Sequence, residues 1–333
     1  MNKSNNSGVL IVVSIIVLSL CILASLSYGA RVINFTEVIE TLIYSRKTTI
    51  NEIVVHERIP RTVFGIIAGA ALGVSGALMQ SITRNPIADP SILGVNTGAS
   101  LFVVGGIAFF QISTSSEYIM FALVGAALTS IFVYSIGSMG HGGATPIKLA
   151  LAGVATSAAL SSILSAIILP REDIMNSVRF WQVGSIGGAT WEGILSVLPF
   201  IVTGLVIAML SIPYLDALSM GDDIATGLGV RTGVVRLVAT FAGVLLCGAT
   251  TALAGPIGFV GIMVPHAVRL ICGPNLKRII PMSAVGGAVL LIFSDVIGRL
   301  LGNPSEVESG IITAFIGAPI LIIVAMRAKV RAL

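Results

Sequence analysis

Long apolar runs alternate with short polar segments along the whole chain. Nine of these runs contain no Asp, Glu, Lys or Arg, and each is long enough to form a helix. A helix that crosses a bilayer needs about 20 apolar residues, so we predict that these runs are transmembrane helices. They occupy residues 9–29, 62–82, 92–112, 118–138, 149–169, 193–213, 237–254, 279–294 and 310–326.

A tenth apolar segment, residues 257–272, contains Pro265, His266 and Arg269. We expect this helix to be short, or shielded from lipid by its neighbours. The predicted fold is therefore an all-α polytopic membrane protein with about ten transmembrane helices in a single domain, 1–333. The first run is too long for the usual 7–15-residue core of a signal peptide, and we interpret it as a retained helix.

Composition supports the same class of protein. Of the 333 residues, 55% are hydrophobic and only 10% are charged, with a mean hydropathy of +1.02. The surface of a soluble domain needs roughly 25–35% charged residues, which excludes an ordinary soluble protein. The cations form no block of five or more, so nucleic acid is not an expected partner.

An even number of crossings places both termini on one side of the membrane. The C-terminal cations Arg327, Lys329 and Arg331 make that side the cytoplasm under the positive-inside rule. Arg58 and Arg61 then lie outside, beside Pro60, which we expect at the start of a helix. Composition alone leaves two interpretations of these arginines open, interfacial anchoring and contact with a partner.

Two polar interruptions suggest a transport path. Residues 83–96 contain two prolines and Asn85, which fits a re-entrant turn that lines a path or a plain cytoplasmic turn. Residues 170–188 combine charges, Trp181 and glycines. They fit a short helix at the outer mouth that acts as a lid, or a loose external loop.

The longest cytoplasmic connection, residues 214–236, predicts two short amphipathic helices around Gly221. Its apolar residues alternate with acids and glycines, and an exposed apolar stripe of this kind marks a partner site. The alternative is that the helices pack back on the bundle. The stripe consists of Leu215, Leu218, Ile224 and Leu228.

Motifs of enzymes are absent from the sequence. It contains no G-x-x-x-x-G-K-[ST] loop for ATP, no nucleophile elbow and no H-E-x-x-H pair.

His266 is a candidate metal ligand, but it stands alone beside Pro265, and a role in helix packing is favoured. Cys21, Cys247 and Cys272 lie in or beside apolar runs. We therefore predict no metal site, no disulfide framework and no catalytic activity.

Several blocks in order along the chain closely resemble the permeases of iron-chelate and vitamin B12 ABC importers. They include Arg-Ile-Pro-Arg-Thr, Arg-Asn-Pro-Ile-Ala-Asp-Pro and a Gly-Phe-Val-Gly-Ile-Met-Val-Pro-His segment. The blocks occupy residues 58–62, 69–80, 84–90, 94–99, 151–154, 221–223, 228–230, 258–266 and 310–319.

The resemblance implies the type II importer fold with ten transmembrane helices, in the bacterial cytoplasmic membrane. It implies a dimer with the same or a related permease, two cytoplasmic ATPases that bind ATP and Mg, and an extracellular or periplasmic substrate-binding protein. This chain itself would hold no cofactor. The expected function is import of a ferric siderophore by alternating access. The alternatives are haem or cobalamin as cargo, an ATPase-independent secondary transporter, or a non-transporting scaffold.

The resemblance also assigns residues. Arg58, Arg61 and Arg299 match outer arginines that receive glutamates of the binding protein, and bidentate guanidinium–carboxylate pairs fix orientation. Asp295 precedes Arg299 by four residues, so a helical ion pair that holds Arg299 is the alternative. Glu308 and Ser309 replace the proline and apolar residue common in the family, so we expect the entry into the last helix to differ.

The remaining assignments concern the cytoplasmic side and the gates. Residues 214–231, which we call the coupling region, resemble the segment that contacts the ATPases. Residues 171–184 match an outer-gate segment. The coupling residues implied are Gly221, Asp222, Asp223, Ala225, Leu228 and Gly229. The inner-gate residues implied are Asn85, Ile87, Thr145 and Pro146.

Overall fold

The computed structural model describes residues 5–44, 48–140, 145–302 and 305–327, and this part of the chain folds as helices without a strand. Its α-helices are α1 (Asn5–Ser27), α2 (Phe35–Tyr44), α3 (Ile50–Thr83), α4 (Val95–Gly105), α5 (Ser115–Ser138), α6 (Pro146–Ile168), α7 (Glu172–Val183), α8 (Trp191–Ser219), α9 (Asp222–Gly227), α10 (Thr232–Ala254), α11 (Val260–Cys272), α12 (Leu276–Leu301) and α13 (Ser309–Arg327).

All ten predicted apolar segments are helical. Seven are long and apolar enough to cross a membrane, and three shorter apolar helices lie at Val95–Phe110, Val260–Cys272 and Ser309–Ile323. The expectation of a short helix at 257–272 is confirmed. The prediction of one helix over 92–112 is wrong at its start, because a 3-10 turn at Pro90–Leu93 ends at Gly94, where φ is +73°.

Helix α3 is the centre of the bundle, buried among α8, α10, α11 and α12. Small residues allow these close approaches in lipid, where no hydrophobic force drives helices together. A Cβ at Gly69 would overlap the carbonyl of Gly287 on α12, and one at Gly76 would overlap the carbonyl of Gly261 on α11. Gly69 and Gly76 therefore let α3 lie directly against α12 and α11.

The start of α3 differs from the prediction. Pro60 does not begin the helix but lies inside it. The start is set by a capping box, in which the Thr49 hydroxyl accepts from the Glu52 amide at 3.3 Å and Glu52 Oε2 accepts from the Thr49 amide at 2.9 Å. This local signal places the beginning of α3 well before the proline.

The connection after α8 also differs in part. Residues 214–219 continue α8, so only α9 forms a separate short helix. Leu215 and Leu218 are buried in the core, which corrects the prediction of one exposed stripe. Ile224 and Leu228 remain exposed, at 54% and 64%. The chain turns between the two helices at Gly221, where φ is +120°.

The polar segment after α6 forms a packed helix. On α7, Ile174 and Val178 are buried against Val104 of α4, and the Arg171 guanidinium donates to the carbonyl of Ala108 at 3.0 Å. The prediction of a short helix at this end of the bundle is confirmed. The alternative of a loose loop is wrong.

Candidate functional site

An ionic cluster joins α3 to α12 at one end of the bundle. Arg61 donates from Nη2 to Oδ1 of Asp295 at 2.8 Å, from Nε to both Asp295 oxygens at 3.1 Å, and from Nη1 to Glu306 at 2.7 Å. The Asp295 side chain is 1% exposed, and that of Glu306 is 40% exposed. Glu306 therefore forms the solvent-facing edge of the cluster.

Arg299 shares the carboxylate of Asp295. Its Nη2 lies 3.0 Å from Asp295 Oδ2 and donates to Ser25 Oγ at 2.9 Å, while Nη1 donates to the carbonyls of Ser25 and Tyr28 at 2.9 and 2.8 Å. The side chain is only 2% exposed. These bonds join α12 to the end of α1 and match the structural alternative considered for Arg299.

Arg58 is also buried. It donates to the carbonyls of Leu26, Ser27 and Arg31 at 2.9, 3.1 and 2.7 Å. Carbonyls at a helix C-terminus lack partners within the helix, and Arg58 satisfies those at the end of α1. The guanidinium groups of Arg58 and Arg299 thus bind the end of α1 in the structure, and docking by these two residues stays a prediction. Arg61 pairs with the exposed carboxylate of Glu306.

Three segments meet beside this cluster. Ser185 donates from its amide to the Ala254 carbonyl at 2.7 Å, and Gly310 donates to the Gly184 carbonyl at 2.9 Å. The Ser309 hydroxyl accepts from the Ile186 amide at 3.4 Å. Ser309, one of the two residues that depart from the family pattern, therefore binds the start of α13 to this junction. The junction borders a cavity of about 370 Å³ whose lining includes Trp181, Glu306 and Glu308.

A second ionic cluster lies at the opposite end of the bundle. Arg84, which ends α3 with a φ of +51°, donates to the Leu218 carbonyl of α8 and to Asp222 Oδ1 of α9, at 2.5 and 2.6 Å. Arg236 of α10 donates to both oxygens of Asp222, at 3.0 and 2.8 Å. The Asp222 carboxylate therefore joins α9 to α3 and α10, and Arg84 extends the cluster to α8.

The arginines control the charge of Asp222. Burial disfavours the charged carboxylate, but the positive charge of Arg236 and the hydrogen bonds from Arg236 and Arg84 outweigh burial. The pKa of Asp222 therefore lies below its ordinary value. The sequence did not reveal this pairing, because Arg84 and Asp222 lie 138 positions apart. No sequence pattern near Arg84 or Arg236 indicates that either residue pairs with Asp222.

Helix α9 divides into a buried and an exposed side. Ala225 is fully buried, whereas Ile224 and Leu228 are exposed. Asp223 is exposed beside them, and Gly229 leaves the helix with a φ of +81°. Three exposed apolar side chains, Met220, Ile224 and Leu228, lie on and beside this helix among the predicted coupling residues, and we call them the α9 face.

The predicted inner-gate residues lie on two segments. Asn85 Oδ1 accepts from the Ile87 amide at 3.1 Å, and both residues are exposed. Thr145 caps α6 by accepting from the Lys148 amide at 3.4 Å, and Pro146 is the first residue of that helix. The two segments meet further along α6, where a Cβ at Gly153 would overlap the carbonyl of Ile92.

The described residues contain no group of three His, Cys, Asp or Glu side chains suited to hold a metal ion. His266 lies on α11, and its Nδ1 is buried without a hydrogen-bond partner in the described structure.

Ten apolar helices of the described residues, with α3 at their centre and an ionic cluster at each end, define a polytopic membrane permease. The sequence matches the FecCD transport family over residues 17–327. The chain belongs to this family, which confirms the resemblance drawn from its sequence blocks.

Relatives and a solved structure agree over nearly the whole chain. The Fe(3+)-citrate import system permease protein YfmD of Bacillus subtilis is 38% identical, covering 98% of this chain and 97% of YfmD. The ferric enterobactin transport system permease protein FepD of Escherichia coli is 40% identical, over 91% and 90%. An inward-facing metal-chelate type ABC transporter superposes with a TM-score of 0.81 at 26% identity, covering 94% of this chain and 97% of that one.

Proposed function

We propose that this chain is the membrane permease of an ATP-driven importer that carries a ferric siderophore by alternating access. The relatives support this proposal, because YfmD and FepD are named as permeases for ferric citrate and ferric enterobactin. The chelates in these two names differ, so the relatives support iron chelates as the class of cargo rather than one particular chelate. The substrate is the intact iron chelate, and no step of covalent chemistry is assigned to this chain.

The observation that carries the ATP dependence is the α9 face. Met220, Ile224 and Leu228 are 62%, 54% and 64% exposed, although α9, which lies between Met220 and Leu228, is held by ion pairs from Asp222 to Arg84 and Arg236. An exposed apolar surface at the end of a membrane bundle suits a protein partner. We assign it to a cytoplasmic ATPase, which binds ATP and Mg.

Coupling would follow from this contact. The turn at Gly221 and the acids Asp222 and Asp223 begin α9, while Ala225 anchors it and Leu228 and Gly229 complete the contact. A displacement of α9 would pull on Asp222 and hence on Arg84, the residue directly before Asn85. The inner gate formed by Asn85 and Ile87, with Thr145 and Pro146 at the start of α6, would then respond to the ATPase.

The external binding protein is assigned to the opposite end of the bundle. There Glu306 is exposed, and Arg61 lies directly behind it with its side chain 13% exposed. A carboxylate on the binding protein could replace Glu306 as the partner of Arg61, a charge-assisted exchange that sets orientation more than affinity. Arg58 and Arg299 would support this site by holding α1 against α3 and α12.

The assembly proposed is a permease dimer, of identical or related chains, with two ATPases and one binding protein. The single domain spans the bacterial cytoplasmic membrane with both termini in the cytoplasm. This orientation places the α9 face on the ATPase side and the Arg61 cluster outside.

Haem or cobalamin import remains the alternative within the same class. A secondary transporter would need neither the α9 face nor a binding protein. The test of cargo is uptake of a panel of radiolabelled ferric siderophores, ferric citrate, haem and cobalamin. The host cells should lack their own permeases and express this chain with its partner subunits. Accumulation of a ferric chelate supports the proposal, whereas accumulation of haem or cobalamin alone would contradict the cargo.

A further inference from the structure

A long apolar cleft lies between α1, α11, α12 and α13, away from both ionic clusters. Its deep part has a volume of about 370 Å³ and is lined almost entirely by aliphatic side chains. Its mouth, about 690 Å³, lies where α11 turns into α12. The two parts share Leu10, Ile271, Cys272 and Met282, so they form one continuous cleft.

The mouth is positively charged. Lys277 and Arg278, both exposed, line it together with Asn275, which caps α12 by accepting from the Lys277 amide at 2.9 Å. The described residues that line the cleft include no Asp or Glu. Within the described structure, neither cation has an ion-pair partner, which leaves both charges available to a ligand.

The mouth lies at the same end of the bundle as α9. The amide of Leu276, the first residue of α12, donates to Oδ1 of Asp216 at 3.3 Å, and Asp216 stands near the end of α8. In the proposed orientation this end faces the cytoplasm. The deep part of the cleft runs from there toward the middle of the membrane, between the spans that begin and end at this face.

We propose that the cleft binds an anionic phospholipid of the cytoplasmic leaflet. One acyl chain fills the deep part, beside Val13, Ala267 and Gly286, and the phosphate lies against Lys277 and Arg278. Two features select this occupant over others: the apolar part lies at membrane depth, and the cations stand only at the mouth. Basic pockets between helices on the cytoplasmic side are typical sites for anionic headgroups.

This inference goes beyond transport and does not need the cargo, the ATPase or the binding protein. Its test is native mass spectrometry of the purified full chain in detergent, titrated with phosphatidylglycerol or with phosphatidylcholine of identical acyl chains. The expected result is one tightly held phosphatidylglycerol and weaker binding of phosphatidylcholine. Retention of both lipids with equal affinity would overturn the proposal.

Three variants locate the site. The double variant Lys277→Ala/Arg278→Ala should weaken phosphatidylglycerol binding by about 30-fold, at about fivefold for each cation. Ala267→Trp should fill the deep part and reduce binding of the lipid while leaving both cations in place. Arg231→Ala, which removes an exposed cation at the same end of the bundle but outside the cleft, is the matched control.

The outcomes are distinct. Loss in the double variant and in Ala267→Trp, with Arg231→Ala unchanged, supports the site. An equal loss in Arg231→Ala would show general attraction of lipid to a basic surface and overturn the proposal. Unchanged binding in Ala267→Trp would do the same, because it would show that no acyl chain enters the cleft. None of these results depends on whether the chain imports a siderophore.

Discussion

Arg84, the residue that ends α3, donates a hydrogen bond of 2.6 Å to Asp222, the first residue of α9. The same guanidinium group binds the last turn of α8, and Arg236 binds Asp222 from α10. The central helix of the bundle is thus linked directly to the short helix that bears the α9 face. This link gives a physical route from an ATPase to the segment that follows Arg84.

The first prediction tests whether Arg84 and Asp222 act as one unit in transport. Arg84→Ala and Asp222→Ala should each lower ATP-driven uptake severalfold. The double variant should transport at the same rate as the less active of the two single variants. Non-additivity is expected because either substitution already breaks the link. Uptake in proteoliposomes measures the cycle. The pair Arg31→Ala with Asp222→Ala serves as the additive control, because Arg31 is exposed at the other end of the bundle. Full additivity of Arg84 and Asp222 would contradict the link.

The second prediction concerns pH. Because the pKa of Asp222 is lowered, its contribution is present above the ordinary pKa of about 3.9 and is lost only as the pH falls through the lower, native pKa. Asp222→Asn imitates the protonated side chain. The ratio of wild-type to Asp222→Asn uptake should therefore stay constant between pH 8 and roughly 5.5. A ratio that approaches one within this range would show that Asp222 titrates there.

The third prediction tests the α9 face. Leu228→Asp introduces a charge on an exposed side chain, so the fold should be retained while the apolar contact is lost. We expect weaker co-purification of the ATPase and loss of most uptake. A bulky replacement at Gly221 or Ala225 should also uncouple ATP hydrolysis from uptake, with some loss of stability because Ala225 is buried.

Val32→Asp is the matched control for Leu228→Asp. Val32 is 63% exposed in the connection after α1 and lies outside the α9 face. The assignment of the face fails if Leu228→Asp binds the ATPase and transports as well as Val32→Asp does.

The fourth prediction separates structural from docking arginines. Removing Arg299 leaves Asp295 with one partner fewer in the protein interior, and loss of a partner from a buried ion pair costs about 3–5 kcal/mol. Arg299→Ala and Arg58→Ala should therefore lower the melting temperature of the purified protein. Arg61→Lys, which keeps a positive charge beside Asp295 and Glu306 but loses the bidentate guanidinium geometry, should chiefly weaken binding of the external protein. A normal melting temperature for Arg299→Ala, together with lost binding, would return Arg299 to a docking role.

Much of the fold follows from the sequence, because charge-free runs in a membrane protein have few alternatives to helices. The limits were local. The capping box at Thr49 began α3 far ahead of Pro60, and the 3-10 turn after Asp89 shortened the helix predicted over 92–112. Leu215 and Leu218 looked like part of an exposed stripe because a linear pattern does not show where α8 ends.

The site was predictable in type but not in detail. Arginines at the outer end were visible in the sequence, yet their burial depended on carbonyls at the end of α1, which only the packed structure brings to Arg58 and Arg299. The pairing of Arg84 with Asp222 likewise requires the tertiary fold. For Arg299, the spacing of four residues from Asp295 did indicate an ion pair within a helix, as the alternative to docking.

The most direct test of the importer proposal is uptake of a ferric siderophore into proteoliposomes that contain this chain, its partner permease and the ATPase, with the loaded binding protein outside. We expect accumulation of iron that requires both ATP inside and the binding protein outside. An ATPase variant unable to hydrolyse ATP should abolish this accumulation. Accumulation that continues without ATP, or that is driven by an ion gradient alone, would contradict the importer proposal.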